Sequence, residues 1–355
     1  MFPSLEININ KLQENAKNLI ALADKCGIKL SLVTKVLSGN QKIVSKLYHL
    51  GFSHLADSRV ENLIKYRHIP IPKILLRLPM ASEAGRVVRY ADISLNSELA
   101  TIQKLNEAAR IQKKKHGIIL MFDLGDLREG IFYREDYLPI IESILKLDHI
   151  SLEGIGTNLT CYGGIIPTPE NLKELLAIKD QIENSFNIQI NIISGGNSSS
   201  LYLLENKEIP KGINNLRIGE ALFLGRETAY GKIISGLYSD CFLLKAEIIE
   251  AKKKPSYPIG SMGMDAFGNI PKIKDQGLME RGILALGKQD VDFNNLIPLD
   301  NIIQILGGSS DHLIIQMTPD YHVGDIITFA MNYPGLLQLM TSKYIHKNYI
   351  RKGKV

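Results

Sequence analysis

The chain has 355 residues, of which 45% are hydrophobic and 22% charged, and it carries a formal net charge of +5. These values exclude a disordered or collagen-like polypeptide and suit one large or two ordinary globular domains. The basic residues are dispersed apart from two short runs, Lys113–Lys115 and Lys252–Lys254. The continuous basic face of a nucleic-acid-binding protein is therefore not indicated.

The sequence carries no sign of export. Its N-terminal residues lack a basic segment followed by an apolar one, and no long uninterrupted apolar stretch occurs. The three cysteines, Cys26, Cys161 and Cys241, lack CxxC spacing and predict neither a disulfide framework nor a zinc site. We therefore expect a soluble protein of the reducing cytoplasm, with no membrane partner and no metal.

The first two thirds of the chain alternate short apolar runs with longer amphipathic segments, which is the pattern of βα units in a parallel sheet. A strand is predicted at Leu5–Asn10 and a helix at Lys11–Lys25. Eight further strands are predicted at Leu30–Val36, His54–Asp57, Lys73–Leu78, Asp92–Leu95, Gly117–Asp123, Leu152–Asn158, Ile188–Ser194 and Asn215–Leu224. Helical patterns between them include Ser97–Arg110 and Pro169–Phe186. The sequence predicts an α/β fold with a TIM-type (β/α)8 barrel over residues 10–230.

The pattern of hydrophobic residues in the sequence changes after Tyr230. Alternating and β-branched runs are separated there by glycine, proline and asparagine turns. The runs are Phe242–Ile249, Gly282–Leu286, Ile302–Leu306, His312–Met317 and Asp325–Ala330. They predict an all-β C-terminal domain over residues 231–355, to which the strand within residues 1–9 is added.

Unusual residues fall at the predicted carboxyl ends of the barrel strands, where such barrels place their active sites. Lys35 ends the first barrel strand, the run Ser194–Ser200 (SGGNSSS) follows the seventh, and Arg217–Glu220 (RIGE) lies within the eighth. Glycines beside hydroxyl residues let backbone N–H groups approach an anion, and a helix beginning near Ser198 adds its positive end. An amine and a phosphate cradle together point to pyridoxal 5′-phosphate. The alternatives are a snorkelling surface lysine and a plain turn.

Four motifs carry a resemblance to a known family. A lysine after the first barrel strand, DLGDLREG, GIGTNL, SGGNSSS and LRIGE, followed by a β domain, resemble the fold-type III pyridoxal-phosphate enzymes and most of all alanine racemase. Within that group GTNLTCYGG, SGGNSSS and GMDAFGN are similar to the ornithine racemase branch. The resemblance covers nearly the whole chain, in the same order and spacing.

The resemblance implies an isomerase that interconverts L- and D-ornithine by a two-base mechanism through a cofactor aldimine. It also implies a homodimer with composite active sites. Racemisation of alanine or of another basic amino acid remains open, as does decarboxylation of a basic amino acid by a fold-type III enzyme. A third alternative is a protein that carries the cofactor without vigorous turnover, although such carriers lack the β domain.

By resemblance, the barrel supplies the cofactor site. Lys35 carries the aldimine and is one of the two acid/base groups. Arg217 faces the pyridine nitrogen, and because an arginine does not give up its proton the ring nitrogen stays uncharged. Ser198, Gly219 and Glu220 match phosphate contacts, the last two through their backbone N–H groups. A strand-end ion pair is the alternative for Arg217.

The substrate contacts implied by the resemblance come from both domains. Arg128 matches an arginine near the substrate carboxylate, with a salt bridge to Asp123 or Asp126 as the alternative. Ser310 and Asp311 match a segment that reaches across the dimer interface towards the substrate carboxylate. The related decarboxylases carry a Cys-Asp pair at this place, so Ser310 argues against decarboxylation.

The sequence departs from the family at three positions. Gly39 stands where alanine racemases have a tyrosine in contact with the phosphate, and Asn158 replaces a histidine beside the cofactor ring. The stretch Pro258–Gly268 corresponds to the turn that holds the second catalytic base, a tyrosine, yet it contains none. We predict Asp265 as the second base, with a pKa raised by burial. A plain turn aspartate is the alternative.

Overall fold

The computed structural model describes residues 1–265 and 267–351. The chain divides into two compact units, one formed by Lys11–Ser239 and the other by Met1–Asn10 with the residues from Asp240 onward. Ala266, in the predicted glycine-rich turn, and residues 352–355 of the predicted β domain lie outside the described residues. Within the described ranges, no helix combines the length and apolar character that crossing a membrane requires.

Helices and strands largely alternate along the chain as far as Leu224, and strands predominate after Asp240. Up to the end of the first large unit they are β1 Ser4–Asn8, α1 Ile9–Asp24, β2 Lys29–Val33, α2 Gln41–Leu47, β3 His54–Asp57, α3 Val60–Lys65, β4 Lys73–Leu75, α4 Ala84–Tyr90, β5 Ile93–Asn96, α5 Leu99–Ile111, β6 His116–Asp123, β7 Ile131–Phe132, α6 Leu138–Leu145, β8 Ile150–Gly156, α7 Pro169–Phe186, β9 Ile192–Ser194, α8 Leu201–Glu205, β10 Asn215–Ile218 and α9 Glu220–Leu224. After Asp240 they are β11 Phe242–Pro255, β12 Leu278–Leu284, β13 Leu296–Pro298, β14 Gln304–Gly308, β15 Leu313–Gln316, β16 Ile326–Met331, α10 Tyr333–Thr341 and β17 His346–Ile350.

Eight parallel strands close into a barrel in the first unit. The strand order is β5-β4-β3-β2-β10-β9-β8-β6, and β5 also pairs with β6. Each of the eight predicted barrel strands overlaps one of these strands, so the predicted fold class is confirmed. One buried cluster of the barrel is formed by Val33, Ala56, Ile74, Ile93, Leu95, Ile119 and Met121. Gly154 of β8 is needed for strand packing, because a Cβ there would lie 2.3 Å from the carbonyl oxygen of Ile192.

Several predicted strands extend beyond the observed ones, and two of these differences concern the candidate site. β2 ends at Val33, and Lys35 begins a 3₁₀ turn over Lys35–Leu37 instead of ending the strand. β10 ends at Ile218, and Glu220 begins helix α9 instead of continuing the strand to Leu224. A short, fully buried apolar run fits a strand or a helix equally well, so the sequence pattern does not separate them.

Helix α7 has the predicted bounds because its N-terminus is strongly marked in the sequence. The Thr168 side chain accepts from the backbone N–H of Asn171, and the Asn171 side chain accepts from the N–H of Thr168. This reciprocal pair is a capping box, and Pro169 occupies the first helical turn, where its missing N–H costs little. The result is an 18-residue helix that covers one side of the barrel.

The second unit is built on an eight-stranded sheet. Its main path is β13-β16-β11-β12-β15-β14, with antiparallel neighbours throughout. Strand β1 lies off this path between two partners, antiparallel to β11 and parallel to β17. The antiparallel all-β C-terminal region predicted from the sequence is therefore present, and it additionally contains β13, α10 and β17, which the sequence pattern did not predict.

Candidate active site

Lys35 lies just beyond the carboxyl end of β2, at the mouth of the barrel. Its side chain is exposed, yet the protein around it removes enough water to lower the pKa of the ammonium, and the positive charge of Arg128 lowers it further. Cys161, Glu220 and Asp57 act in the opposite direction, with smaller effects. A lowered pKa increases the fraction of neutral amine near pH 7, which is the nucleophilic form.

The residue before the lysine is fixed by a buried carboxylate. Thr34 donates its hydroxyl to Asp57 Oδ2 at 2.8 Å, and its backbone N–H donates to the carbonyl of Ala56 at 2.8 Å. Asp57 Oδ1 accepts from Asn62 Nδ2 and from the backbone N–H of Arg59, each at 3.0 Å. Burial raises the pKa of the Asp57 carboxyl, against these hydrogen bonds. The network holds the start of the lysine turn in one position.

The segment after β9 forms a tight turn rich in hydroxyl groups. Asn197 caps the 3₁₀ turn Ser198–Ser200 by accepting from the backbone N–H of Ser199 at 2.8 Å. The buried Ser198 hydroxyl accepts from the N–H of Ala221, at the start of α9, at 3.2 Å. The hydroxyl of Ser199 is buried, and no hydrogen-bond partner for it occurs among the described residues. The segment therefore brings two buried serines to the end of the neighbouring strand β10.

Gly219 lets the start of α9 approach β2 closely. A Cβ at this position would lie 3.2 Å from both the Cβ and the carbonyl oxygen of Val33, two residues before Lys35. Glu220 is half-buried, and burial raises the pKa of its carboxyl while the charges of Lys35 and Arg226 oppose that rise. The register of β10 beside β2 thus places Gly219 and Glu220 next to the lysine turn.

Arg217 is buried inside the barrel and is surrounded by neutral acceptors. It donates to Ser194 Oγ at 2.5 Å, to the Thr157 carbonyl at 2.7 Å and to Asn158 Oδ1 at 3.4 Å. Asn197 also donates to Asn158 Oδ1, at 3.0 Å, which ties Asn158 to the serine turn. Burial lowers the pKa of Arg217 to about 10. None of its hydrogen bonds goes to a carboxylate, so the alternative of a strand-end ion pair is wrong within the described chain.

Arg128 lies in the loop between β6 and β7 and pairs with the adjacent Glu129. The two aspartates considered as its alternative partners are engaged elsewhere. Asp123 Oδ1 accepts from the backbone N–H groups of Gly125 at 2.8 Å and Leu127 at 3.1 Å. The fully buried Asp126 accepts from the backbone N–H groups of Cys161, Tyr162 and Ile165. The guanidinium remains exposed to solvent, held by one neighbouring carboxylate.

Asp265 lies in the long connection between β11 and β12 of the second unit. Its side chain is exposed and its Oδ1 accepts from the backbone N–H groups of Asn269 at 2.8 Å and Phe267 at 2.9 Å. These hydrogen bonds hold the pKa of its carboxyl below the ordinary value. The predicted elevation of this pKa by burial is therefore wrong for the single chain, in which Asp265 closes its own turn.

Ser310 and Asp311 lie in the turn between β14 and β15 and are exposed. Asp311 Oδ1 accepts from Gln289 Nε2 at 2.8 Å, and its Oδ2 accepts from the Ser310 hydroxyl at 3.0 Å. The turn is packed closely, since a Cβ on Gly287 would collide with the Ser310 carbonyl. Both side chains are thus oriented within the unit that carries them.

The barrel residues predicted for the site form one connected group at its mouth: Lys35, Asn158, Ser198, Arg217, Gly219 and Glu220. Sequence reasoning did not single out Asp57, Asn197 and Ser194 as residues that support them. Asn197 and Ser194 stand in the SGGNSSS run, and Asp57 is an acidic residue at the end of an apolar strand beside the lysine strand. These sequence positions are the only signals by which the three supporting residues could have been predicted.

The comparisons agree with this geometry. A family model described as "Alanine racemase, N-terminal domain" matches residues 7–227. The chain is 50% identical to an ornithine racemase of Acetoanaerobium sticklandii, over 99% of this chain and 100% of that protein. It is 42% identical to a lysine racemase of Thermotoga maritima, over 98% of this chain and 99% of that protein.

Solved structures show the same fold. An alanine racemase of Clostridium difficile matches with a TM-score of 0.75 and 18% identity, over 99% of this chain and 96% of that one. An alanine racemase of Streptomyces lavendulae matches with a TM-score of 0.75 and 14% identity, over 100% and 99%. The family match and the near full-length relatives identify this chain as a member of the alanine racemase family.

Proposed function

We propose that this enzyme is a pyridoxal 5′-phosphate-dependent racemase that interconverts L- and D-ornithine. The observation that carries the proposal is the amine of Lys35, with its lowered pKa, beside a serine turn and a buried arginine at one barrel mouth. The 50% identity to an ornithine racemase over the full chain supports ornithine as the substrate. The 42% identity to a lysine racemase supports lysine as the second candidate.

The residues present fit pyridoxal phosphate. The buried Ser199 hydroxyl has no partner in the described chain, and Ser198 lies beside it, so this turn offers hydroxyl groups to a phosphate. Lys35 would hold the cofactor covalently, while Ser198 and the backbone N–H groups of Gly219 and Glu220 would hold its phosphate. When bound, the cofactor supplies an electron sink that makes the Cα–H of an amino acid acidic.

Arg217 and Asn158 would lie beside the pyridine ring. A buried guanidinium with neutral partners keeps its positive charge and does not give up a proton, so it disfavours a protonated ring nitrogen. By keeping the ring nitrogen unprotonated, Arg217 would limit the withdrawal of charge from the substrate carbon. The arginine would therefore favour return of the proton to Cα over transamination.

Lys35 would be one of the two groups that move the Cα proton. Its lowered pKa increases the neutral fraction that accepts a proton, and its ammonium form returns one. Racemisation needs a second group on the opposite face, and we propose Asp265 from a partner subunit. In the single chain this carboxyl is exposed with a lowered pKa, so burial on assembly has to raise that pKa for the role to hold.

A homodimer with composite active sites is supported by the surface around Asp265. The connection between β11 and β12 exposes a series of large apolar side chains: Tyr257, Ile259, Met262, Met264, Phe267, Ile270 and Ile273. A contiguous series of this kind marks an interaction surface. We propose that residues 10–230 form the cofactor-binding barrel and that residues 231–355, with strand 1–9, form the β domain that reaches the partner's barrel.

The substrate would be held by its carboxylate and by its side-chain ammonium. Arg128 suits the carboxylate because a guanidinium binds it through two parallel hydrogen bonds, and Ser310 and Asp311 of the partner subunit would complete this contact. Glu129 now pairs with Arg128, so substrate binding exchanges one carboxylate for another. A pocket for ornithine also needs a partner for a second ammonium, which a pocket for alanine does not.

Chiral chromatography of the purified protein, reconstituted with pyridoxal phosphate, tests the proposal. L-ornithine, L-lysine, L-arginine and L-alanine are supplied in parallel, and the Lys35→Ala variant is the control. Formation of D-ornithine in excess of the other products is expected. Preferential inversion of lysine would move the protein to the second candidate, and release of carbon dioxide with a diamine would make it a decarboxylase. Cofactor retention without turnover of any substrate would favour a carrier.

A further inference from the structure

A chain of buried neutral groups continues behind Arg217 into the barrel. Arg217 donates to Ser194 Oγ at 2.5 Å, Ser194 contacts Asn215 Oδ1 at 2.7 Å, and Asn215 Nδ2 contacts Ser31 Oγ at 3.1 Å. Asn215 Nδ2 also donates to the carbonyl of Lys29, at 3.1 Å. The exposed fractions of the four side chains are 0% for Ser31 and Ser194 and 4% for Asn215 and Arg217. They come from β2, β9 and β10, which are neighbours in the barrel.

The direction of every hydrogen bond in this chain is determined by the arginine. A guanidinium only donates, so Ser194 Oγ accepts from Arg217 and is left to donate its own proton to Asn215 Oδ1. The amide of Asn215 is oriented in turn, since its NH₂ group faces Ser31 and the Lys29 carbonyl. Hydrogen bonds aligned in one direction polarise one another, so the chain holds the guanidinium in one orientation.

The chain fixes the arginine without neutralising it. A buried arginine is usually paired with a carboxylate, which compensates its charge. The side chains of this chain are a serine, an asparagine and a second serine, and none of them carries a charge. Glu129 acts on the Arg217 pKa only through its charge, and the charge of Arg128 opposes that effect. A positive charge held in that way opposes a second positive charge nearby, because both are removed from water.

We propose that Ser194 and Asn215 are positioning residues that keep Arg217 aimed at the pyridine nitrogen of the cofactor and do so without a hydrogen-bonded carboxylate. They thereby set the protonation of the ring nitrogen, although neither touches the cofactor or the substrate. The inference rests on the proposed function, since it requires that pyridoxal phosphate binds with its ring beside Arg217. The inference extends the proposed site to residues that do not line it. One contact in this chain joins Asn215 to Ser31, which are 184 positions apart in the sequence.

Three variants separate this role from a general structural one. Ser194→Ala removes one direct hydrogen-bond partner of Arg217 and leaves the Thr157 carbonyl and Asn158 in place. Ser31→Ala removes the far end of the chain and leaves Asn215 bonded to the Lys29 carbonyl. Ser94→Ala is the matched control, because Ser94 is also a fully buried serine on a barrel strand, but its hydroxyl is hydrogen-bonded to His116 and Asn96 instead of Arg217.

The first readout is the ¹⁵N chemical shift of the ring nitrogen, with ring-labelled pyridoxal phosphate bound to each protein. The second is the ratio of the dissociation constants of 1-deazapyridoxal phosphate and pyridoxal phosphate. The deaza compound lacks the ring nitrogen, so this ratio measures how much the contact to that atom contributes to binding. Neither readout depends on catalytic activity.

We expect the wild-type protein to prefer pyridoxal phosphate over the deaza compound. Ser194→Ala should reduce that preference by about tenfold, the effect of losing one hydrogen bond to a charged group. Ser194→Ala should also change the ¹⁵N chemical shift of the ring nitrogen. Ser31→Ala should change the chemical shift and the ratio of dissociation constants in the same direction, but by less. Ser94→Ala should give the wild-type values for both. Wild-type values for Ser194→Ala, or equal changes for Ser194→Ala and Ser94→Ala, would overturn the inference. Failure of the wild-type protein to bind pyridoxal phosphate would instead overturn the proposed function, and the inference with it.

Discussion

His116 makes the stability of the barrel depend on pH. This histidine begins β6, is 1% exposed, and has its Nε2 at 2.8 Å from the Ser94 hydroxyl. Ser94 Oγ accepts from Asn96 Nδ2 at 2.9 Å, which leaves its own proton to donate to the ring nitrogen. The imidazole is therefore neutral in the folded protein. Burial lowers its pKa from 6.5 to about 4.

The sign of the effect follows from proton uptake. Between pH 6.5 and pH 4 the unfolded chain binds a proton at His116 that the folded chain does not, so acid favours unfolding. The contribution is fully present above pH 6.5 and is lost as the pH falls towards 4. The whole difference corresponds to about 3 kcal/mol, of which about 2 kcal/mol is already lost at pH 5.

Urea denaturation of the cofactor-free protein at pH 7.5 and pH 5.0 measures this loss, with the protein concentration held constant because assembly also affects stability. His116→Gln keeps an acceptor for Ser94 but does not titrate in this range. It should reduce the difference in unfolding free energy between the two pH values by about 2 kcal/mol relative to the wild type. His68→Gln, at an exposed histidine, is the control and should leave the difference unchanged. A wild-type pH dependence in His116→Gln would refute the reasoning.

Four further substitutions test the proposed site. Lys35→Ala should abolish both racemisation and the covalent retention of pyridoxal phosphate after borohydride reduction, measured by mass spectrometry; retained turnover would remove Lys35 from the mechanism. Asp57→Asn removes a negative charge that raises the pKa of Lys35, so the pH profile of reductive methylation of Lys35 in the cofactor-free protein should move to lower pH. Arg128→Lys should raise KM for the amino acid by roughly tenfold with less effect on kcat, because the bidentate contact is lost. Asp265→Asn should slow Cα-proton exchange from one enantiomer by roughly a hundredfold more than from the other. Equal, small effects on both enantiomers would show that Asp265 has only a structural role in its turn.

The repeating part of the fold was predictable because each βα unit carries its own signals. The eight barrel strands are short buried runs, and α7 begins where a threonine, a proline and an asparagine mark a helix start. The boundaries were less predictable where no such signal separates two elements. Ala221–Leu224 is as apolar as the strand before it, and only Gly219 and Gly225, the latter with φ of +69°, bound the helix that it forms.

The position of the candidate barrel residues at the strand ends was predictable because motifs mark them, whereas the residues that support them were not predictable. Thr34 and Asp57 are 23 positions apart, and Asn215 and Ser31 are 184 positions apart. Such pairs become neighbours only through the register of adjacent parallel strands, and that register cannot be predicted from a single sequence. The reversed prediction for the pKa of Asp265 has a related cause, since it assumed burial that the isolated chain does not provide.

The two cations of the candidate site differ in their surroundings, and that difference suits the different roles proposed for them. Near Lys35, the carboxylates of Glu220 and Asp57 offset part of the effect of burial on its pKa, so the amine can both bind and release a proton. Arg217 donates to a serine, a carbonyl and an asparagine, none of which offers a proton or a negative charge in exchange. A lysine among carboxylates suits proton transfer, whereas an arginine among neutral groups suits a fixed charge. In the proposed reaction Lys35 would accept and return the Cα proton, while Arg217 would keep its positive charge throughout turnover.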